Sequence, residues 1–331
     1  MSRKTTKNLY SASKIRYQLQ TTRRSIMKKI FISILYLIFL VFSPTTNADY
    51  GNGLVITQTT TSKLEKIYQQ YGYEHYIAVQ DYHIPQIYLE HFPTDFSTIS
   101  DFKKRNELFI KILTPLALKI NQEIMQERAK MIKLQKTFLQ KSSLSVSETN
   151  YLEQLAKKYD VFTRLKGKER IELQFNQLEL KINQVYPSFL IGISAIETDW
   201  GTSRIVYEGN ALYKELVWHS TEGLKPDGET EDHTYKIRIF PNLYESMKSF
   251  ALKFNSNVAY EHARFLRNLR YKAGINPSGR STVHSMLFQS PLENYIGILD
   301  YTITFYKLML LDQAPLNPNP PKLIKNIKKN K

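Results

Sequence analysis

The chain has 331 residues, 42% hydrophobic and 12% aromatic, which suits one large globular domain or two smaller ones. It has no cysteine, which excludes disulfides, thiolate metal sites and cysteine nucleophiles. The net charge of +16 is concentrated at the ends: residues 1–48 hold nine Lys/Arg and no acid, residues 322–331 hold five lysines, and roughly +2 remains for the body. A near-neutral body gives no support to nucleic-acid binding.

The first element in chain order is an apolar run from Ile30 to Phe42, about 13 residues long. A membrane-spanning helix needs roughly 20. Lys28 and Lys29 precede the run and Thr46 and Ala48 follow it, the layout of a secretory signal peptide. The expected start is Met27, which gives a compact signal, with residues 1–26 as an extension and a mature N-terminus near Asp49. The rival expectation is an uncleaved anchor, which would hold the chain to the membrane through this segment.

Helical periodicity follows from Thr61 to Tyr73, then a less regular stretch from Tyr76 to Ile87 broken by Pro85. Leu108, Ile112, Leu116, Ile120, Ile124 and Met131 mark a long helix over about 105–140, which Pro115 is expected to kink or divide. A serine-rich linker over 142–147 leads to a helix over Tyr151–Tyr159, and Leu173, Leu178, Leu180 and Ile182 fit another. Pro187 opens a helix over Phe189–Asp199, with Gly201 as its stop. Residues 220–234 are polar and rich in turn formers, and Tyr235, Ile237 and Ile239 alternate as a short strand. Helices over 243–254, 259–271, 282–289 and 292–310 complete the body, and Asn317 begins a Pro/Asn linker to the basic tail. The tail reads as a solvated end, or as a weak attraction to anionic wall polymers or membrane. The expected fold is mostly α, divided into a helical N-terminal region over 49–182, a catalytic domain with a small β excursion over 183–311, and a linker with tail over 312–331.

The stretch from Ala195 to Arg204 carries the chemistry. Ile193, Ile196 and Trp200 surround Glu197 at helical spacing, so this carboxyl is expected to be partly desolvated. Desolvation disfavours the charged form of a carboxyl, as a general acid at neutral pH requires. The alternative is a helix-end carboxylate paired with Arg204. Glu222, Asp227, Glu229, Glu231 and Asp232 lie in the polar excursion, and Glu229 and Glu231, flanking the strand entry, are the first choices for a second carboxylate. The seven histidines show no metal-binding spacing, so no metal and no cofactor are expected.

Ala195-Ile-Glu197-Thr-Asp-Trp200-Gly201-Thr-Ser203 resembles, with the spacing after Glu197 kept, the Glu-Ser-x-Trp-Gly-x-Ser stretch of the glucosaminidase family of bacterial cell-wall hydrolases, glycoside hydrolase family 73. Thr198 stands where the family usually has Ser. Val79–Leu89, Lys104–Pro115, Asn121–Arg128, Glu208–Tyr213, Phe240, Tyr244–Ser246 and Asn257–Arg264 are similar to the Bax-type subgroup, so the resemblance covers roughly residues 75–310. It implies an α+β lysozyme-like fold and cleavage of the β-1,4 bond on the reducing side of N-acetylglucosamine, with Glu197 as general acid. The partner implied is the peptidoglycan glycan strand and the location periplasmic or wall-associated. By the same resemblance Tyr260 and Tyr295 look comparable to the family's cleft tyrosines, with core packing on helical faces as the alternative. Trp200 and Trp218 are candidate rings for stacking on sugars, with packing beside the acid as the alternative for Trp200, and Asn210 and Tyr213 are further candidate sugar contacts. The family's Asn-Asn-Leu-Phe-Gly reads Asn210-Ala211-Leu212-Tyr213-Lys214 here. Two other functions fit the same fold: a non-catalytic wall-binding or scaffold protein, and a lytic transglycosylase, whose Gly-Leu-Met-Gln segment is missing after Glu197.

Overall fold

A computed structural model describes residues 50–76, 83–218, 220–226, 234–275, 277–286 and 293–321. The expected signal segment, Glu229, Glu231, Asp227, Asp232 and the basic tail lie outside the described residues. The described residues belong to a single unit, Ala48–Lys331. In chain order it contains β1 (Leu54–Ile56), α1 (Thr61–Gln70), β2 (Ile87–Leu89), α2 (Phe102–Lys141), α3 (Val146–Lys158), α4 (Gly167–Lys181), α5 (Pro187–Glu197) and α6 (Arg204–Gly209). Then come β3 (Leu216–Trp218), β4 (Tyr235–Ile237), α7 (Leu243–Ser256), α8 (Glu261–Lys272), α9 (Gly279–Ser285) and α10 (Glu293–Phe305), with a closing 3-10 turn, Leu308–Gln313. The fold is mostly α, as expected. No helix among the described residues is long and apolar enough to cross a membrane.

The centre of the fold is α5. Residues 187–195 are buried on every side, which suits a helix that is apolar all round. It packs against α2, α9, α10 and the closing 3-10 turn. One hydrophobic cluster runs from Tyr50 to Ala314, so the core is continuous across the expected boundary at 182–183. Residues from both sides of that boundary surround α5.

Helix α2 is continuous for 40 residues, about 60 Å, through Pro115, so the expected division does not occur. Proline removes the N–H that would bond to the carbonyl four residues back. That carbonyl, of Lys111, instead accepts the Tyr73 hydroxyl at 3.0 Å. The helix ends at Ser142, in the left-handed conformation at φ 55°. Ser145 and Glu148 then form a capping box that starts α3 at Val146, ahead of the expected Tyr151.

Two small sheets complete the fold. Strands β1 and β2 pair in parallel, Val55 opposite Tyr88, and β3 and β4 form an antiparallel hairpin, Val217 opposite Lys236. The segment expected as a free linker is partly tied down: Asn317 N–H donates to Ile84 O at 2.8 Å and Gln86 Nε2 to Asn317 O at 2.7 Å.

The helix ends are satisfied by buried charged groups. Arg128 of α2 donates to the Glu179 and Ile182 carbonyls, both at 2.6 Å. Arg264 of α8 donates to Phe254 O and Asn257 O, both at 2.7 Å, and Arg267 to Gln184 O at 2.8 Å. Cations at carbonyl ends complement the helix dipoles of α4 and α7. At the other end of α5, Asp312 accepts from Ser188 N at 2.9 Å, Ser188 Oγ at 2.8 Å and Gly279 N at 2.9 Å, so one buried carboxyl caps both α5 and α9.

Burial pushes the Asp312 carboxyl up to about 6, against the lowering effect of these hydrogen bonds. With the native value above the unfolded one, its contribution to stability is full below about pH 4 and is lost as pH rises through about 6. Asp312→Ala is expected to lower unfolding free energy by about 2–3 kcal/mol at pH 5, with a smaller deficit at pH 7.5. Urea titrations at both pH values test this, and a deficit that grows with pH contradicts it.

Candidate active site

Glu197 is the last residue of α5, and its side chain is 22% exposed. A rigid buried helix thus delivers one carboxyl to the surface at its end. The chain turns there by a Schellman closure: Trp200 N–H donates to Ala195 O at 2.8 Å and Asp199 N–H to Ile196 O at 3.5 Å. Asp199, Trp200 and Gly201 all adopt left-handed backbone, at φ 47°, 55° and 80°. For the two non-glycine residues this costs roughly 1 kcal/mol or more each.

Two features hold the turn. Thr198 is fully buried; its Oγ1 donates to Ser194 O at 2.6 Å and accepts from Gly201 N at 3.0 Å. A hydroxyl at this position locks the turn, which explains why Thr replaces Ser here without loss of the closure. The second feature is aromatic packing. Trp200 lies against Tyr306 at 4.5 Å and Phe109 at 5.6 Å between ring centroids, and Phe109 stacks on Phe92 at 5.6 Å. A Cβ on Gly201 would stand 3.0 Å from Phe109, 3.1 Å from Phe92 and 3.1 Å from Phe96. Trp200 thus packs, half-buried, against the hydrophobic core.

Tyr295, near the start of α10, donates its hydroxyl to Glu197 Oε1 at 2.9 Å. The helices meet closely at Gly192, where a Cβ would stand 2.9 Å from Leu299 and 3.1 Å from Ile303. This close antiparallel crossing lets Tyr295 reach the end of α5. Burial pushes the Tyr295 phenol well above its ordinary range, and the Glu197 charge, their hydrogen bond and neighbouring Tyr260 push it further. Tyr295 thus keeps its proton and acts as a donor. Tyr260 closes the 3-10 turn Val258–Tyr260, half-buried, with its ring 5.1 Å from Phe254.

Lys214 brings Nζ to 3.7 Å from Glu197 Oε2. Sequence reasoning noted it only as a departure from the family's glycine, although its charge beside the key loop was visible. Arg204, the partner of Glu197 in the alternative reading, pairs with Glu208 at 2.8 Å and donates to Lys225 O at 2.6 Å.

The remaining expected sugar contacts separate into two groups. Trp218 ends β3, 39% exposed, with its ring 5.1 Å from Tyr235 across the hairpin. Tyr213 is buried, stacked on Phe250 at 4.2 Å and 6°, and donates to Leu190 O at 3.2 Å. Asn210 caps α6 at φ 48°, its Nδ2 donating to Phe240 O at 2.9 Å and its Oδ1 2.9 Å from His91 Nδ1. It also borders a cavity of about 360 Å³ lined by His91, Phe92, Thr94 and Tyr207. Glu222 is exposed at the base of the polar excursion.

Residues 174–290 match the glucosaminidase family, described as mannosyl-glycoprotein endo-beta-N-acetylglucosaminidase. The chain is also similar to Protein bax of Escherichia coli (strain K12), 24% identical over 200 residues, which cover 57% of this chain and 67% of that protein.

The Gly201 packing generates a test. Gly201→Ala combines a left-handed backbone with three aromatic contacts, and is expected to destabilise by about 2–3 kcal/mol. Calorimetry measures this; a variant as stable as the wild type shows that the aromatic wall does not press on the turn.

Proposed function

We propose that this chain, which carries a glucosaminidase-family domain over residues 174–290, is an exported peptidoglycan hydrolase that cleaves on the reducing side of N-acetylglucosamine. The observation that carries this reading is the hydrogen bond of 2.9 Å from Tyr295 to Glu197, at the exposed end of a buried helix. It orients a carboxyl whose other oxygen meets the leaving group.

In the proposed reaction Glu197 gives its proton to the glycosidic oxygen as the bond from that oxygen to C1 breaks. The Tyr295 hydroxyl stays on Oε1 and stabilises the carboxylate that is left. Water, or the acetamido oxygen of the substrate, attacks C1 from the other face. If water attacks, a second carboxylate takes its proton, and Glu229 and Glu231 remain the proposed candidates. If the acetamido oxygen attacks, water later opens the resulting ring and Glu197 takes back a proton. Trp218 is proposed as a stacking platform for a sugar. Tyr260 is proposed to support Tyr295 from the cleft wall. A second reading, glycan binding without cleavage, is favoured by Lys214 standing beside the acid where the family has glycine, and by the internal hydrogen bonds of Asn210.

Digestion of purified peptidoglycan, followed by borohydride reduction and mass spectrometry, tests these readings. Reduced N-acetylglucosamine ends are expected from the wild type. Glu197→Gln is expected to release none. Tyr295→Phe is expected to be about 10–100-fold slower, the value of one hydrogen bond to a charged group. Muramic-acid or anhydro ends contradict the proposed bond, and binding without release supports the second reading.

A further inference from the structure

Lys214 has its backbone in the left-handed region, at φ 45°, where a side chain is disfavoured and glycine is the usual occupant. Its neighbours fix it there. Tyr213 is stacked on Phe250, and Glu215 is buried, accepting from Ser249 Oγ at 3.2 Å. Backbone strain that the surroundings impose points to a function. From this rigid base the side chain carries Nζ to 3.7 Å from Glu197 Oε2.

That oxygen is the one Tyr295 leaves uncovered, since the tyrosine holds Oε1. The ammonium therefore stands where a leaving-group oxygen has to approach. At 3.7 Å the pair has no hydrogen bond, and the lysine side chain is 47% exposed, so the pairing is weak and readily exchanged. A sugar entering the site displaces the ammonium by a short distance and takes away its counter-charge. An anion on the substrate, next to the leaving oxygen, replaces it.

The chemistry of the proposed bond supplies such an anion. The leaving oxygen is O4 of a muramic-acid residue, and the neighbouring carbon, C3, bears the lactyl ether. Its carboxyl is a free anion in a peptide-free strand and a neutral amide where a stem peptide is attached. We infer that Lys214 recognises the lactyl carboxylate of the sugar on the leaving-group side, so that peptide-free glycan is the preferred substrate. This rests on the glucosaminidase reading above. Lys214 acts in specificity, with Glu197 still the proton donor.

The test compares three substrates: peptide-free glycan, the same glycan with its carboxyls capped as methylamides, and peptide-bearing glycan. The wild type is expected to favour the free carboxylate over the capped form by about fivefold in kcat/KM, the size of an exposed charge pair, with the preference shrinking in high salt. Lys214→Met is expected to erase the preference and Lys214→Arg to restore it. A Lys214→Met enzyme that keeps the wild-type preference, or that slows equally on both glycans, overturns the inference. So does a Lys214-dependent preference for peptide-bearing strands, which assigns the ammonium to a stem-peptide carboxylate. Equilibrium binding of the soluble charged and capped glycans to Glu197→Gln, with and without Lys214→Met, gives the same comparison without catalysis. If nothing is hydrolysed but the Lys214-dependent binding preference holds, the hydrolase reading fails and the recognition of the carboxylate stands.

Discussion

The position of Glu197 depends on the turn that follows it. Residues 199–201 are all left-handed, a conformation that an isolated segment of this composition would abandon. It persists because Thr198 is buried and doubly hydrogen-bonded, and because Trp200 and Gly201 are pressed against Phe92, Phe96, Phe109 and Tyr306. The tryptophan and glycine of the motif are, on this view, the fixture that fixes the direction of the glutamate. Their constraint is steric, and it is supplied from distant parts of the chain.

This gives the N-terminal region a physical role. Phe92 lies in the segment after β2, Phe96 opens the 3-10 turn Phe96–Thr98 and Phe109 lies in α2, all far upstream of the glutamate. The arginines Arg128, Arg264 and Arg267 bind the carbonyl ends of α4 and α7, and Asp312 caps the amide ends of α5 and α9. Burial lowers the pKa of all three guanidinium groups, yet they stay paired with several carbonyls each. Charge placed on helix ends in a dry interior is directional, so these contacts set how the helices meet. The apolar core sets only that they meet.

Much of this was legible in the sequence, for identifiable reasons. The helix carrying Glu197 was legible because Pro187 and Gly201 bracket a continuous apolar run. Strand β4 was legible from the alternation of Tyr235, Lys236 and Ile237. The parallel pair β1–β2 was not, because three-residue strands of Leu54–Ile56 and Ile87–Leu89 carry too little periodicity and pair across about thirty residues of chain. The continuity of α2 through Pro115 was hidden because the replacement donor, Tyr73, comes from another segment. Tyr295 was singled out by resemblance, while its contact with Glu197 depends on a helix crossing at Gly192 that sequence spacing does not encode.

The segment Asn210–Lys214 shows how one departure from a family pattern separates into different physical consequences. Ala211 and Tyr213 point into the core, and the tyrosine is accommodated by a flat stack on Phe250 and a carbonyl of α5. Asn210 is a helix cap that also ties α6 to Phe240 and His91. The contacts of these three positions are with the scaffold, away from the Glu197 carboxyl. Lys214 differs: its backbone keeps the conformation that suits glycine, while its side chain adds a positive charge 3.7 Å from Glu197 Oε2, the oxygen proposed to act. The departure thus preserves the scaffold of the site and changes its electrostatics at a single point, so a change in the charge of the substrate is the chemical consequence to look for first.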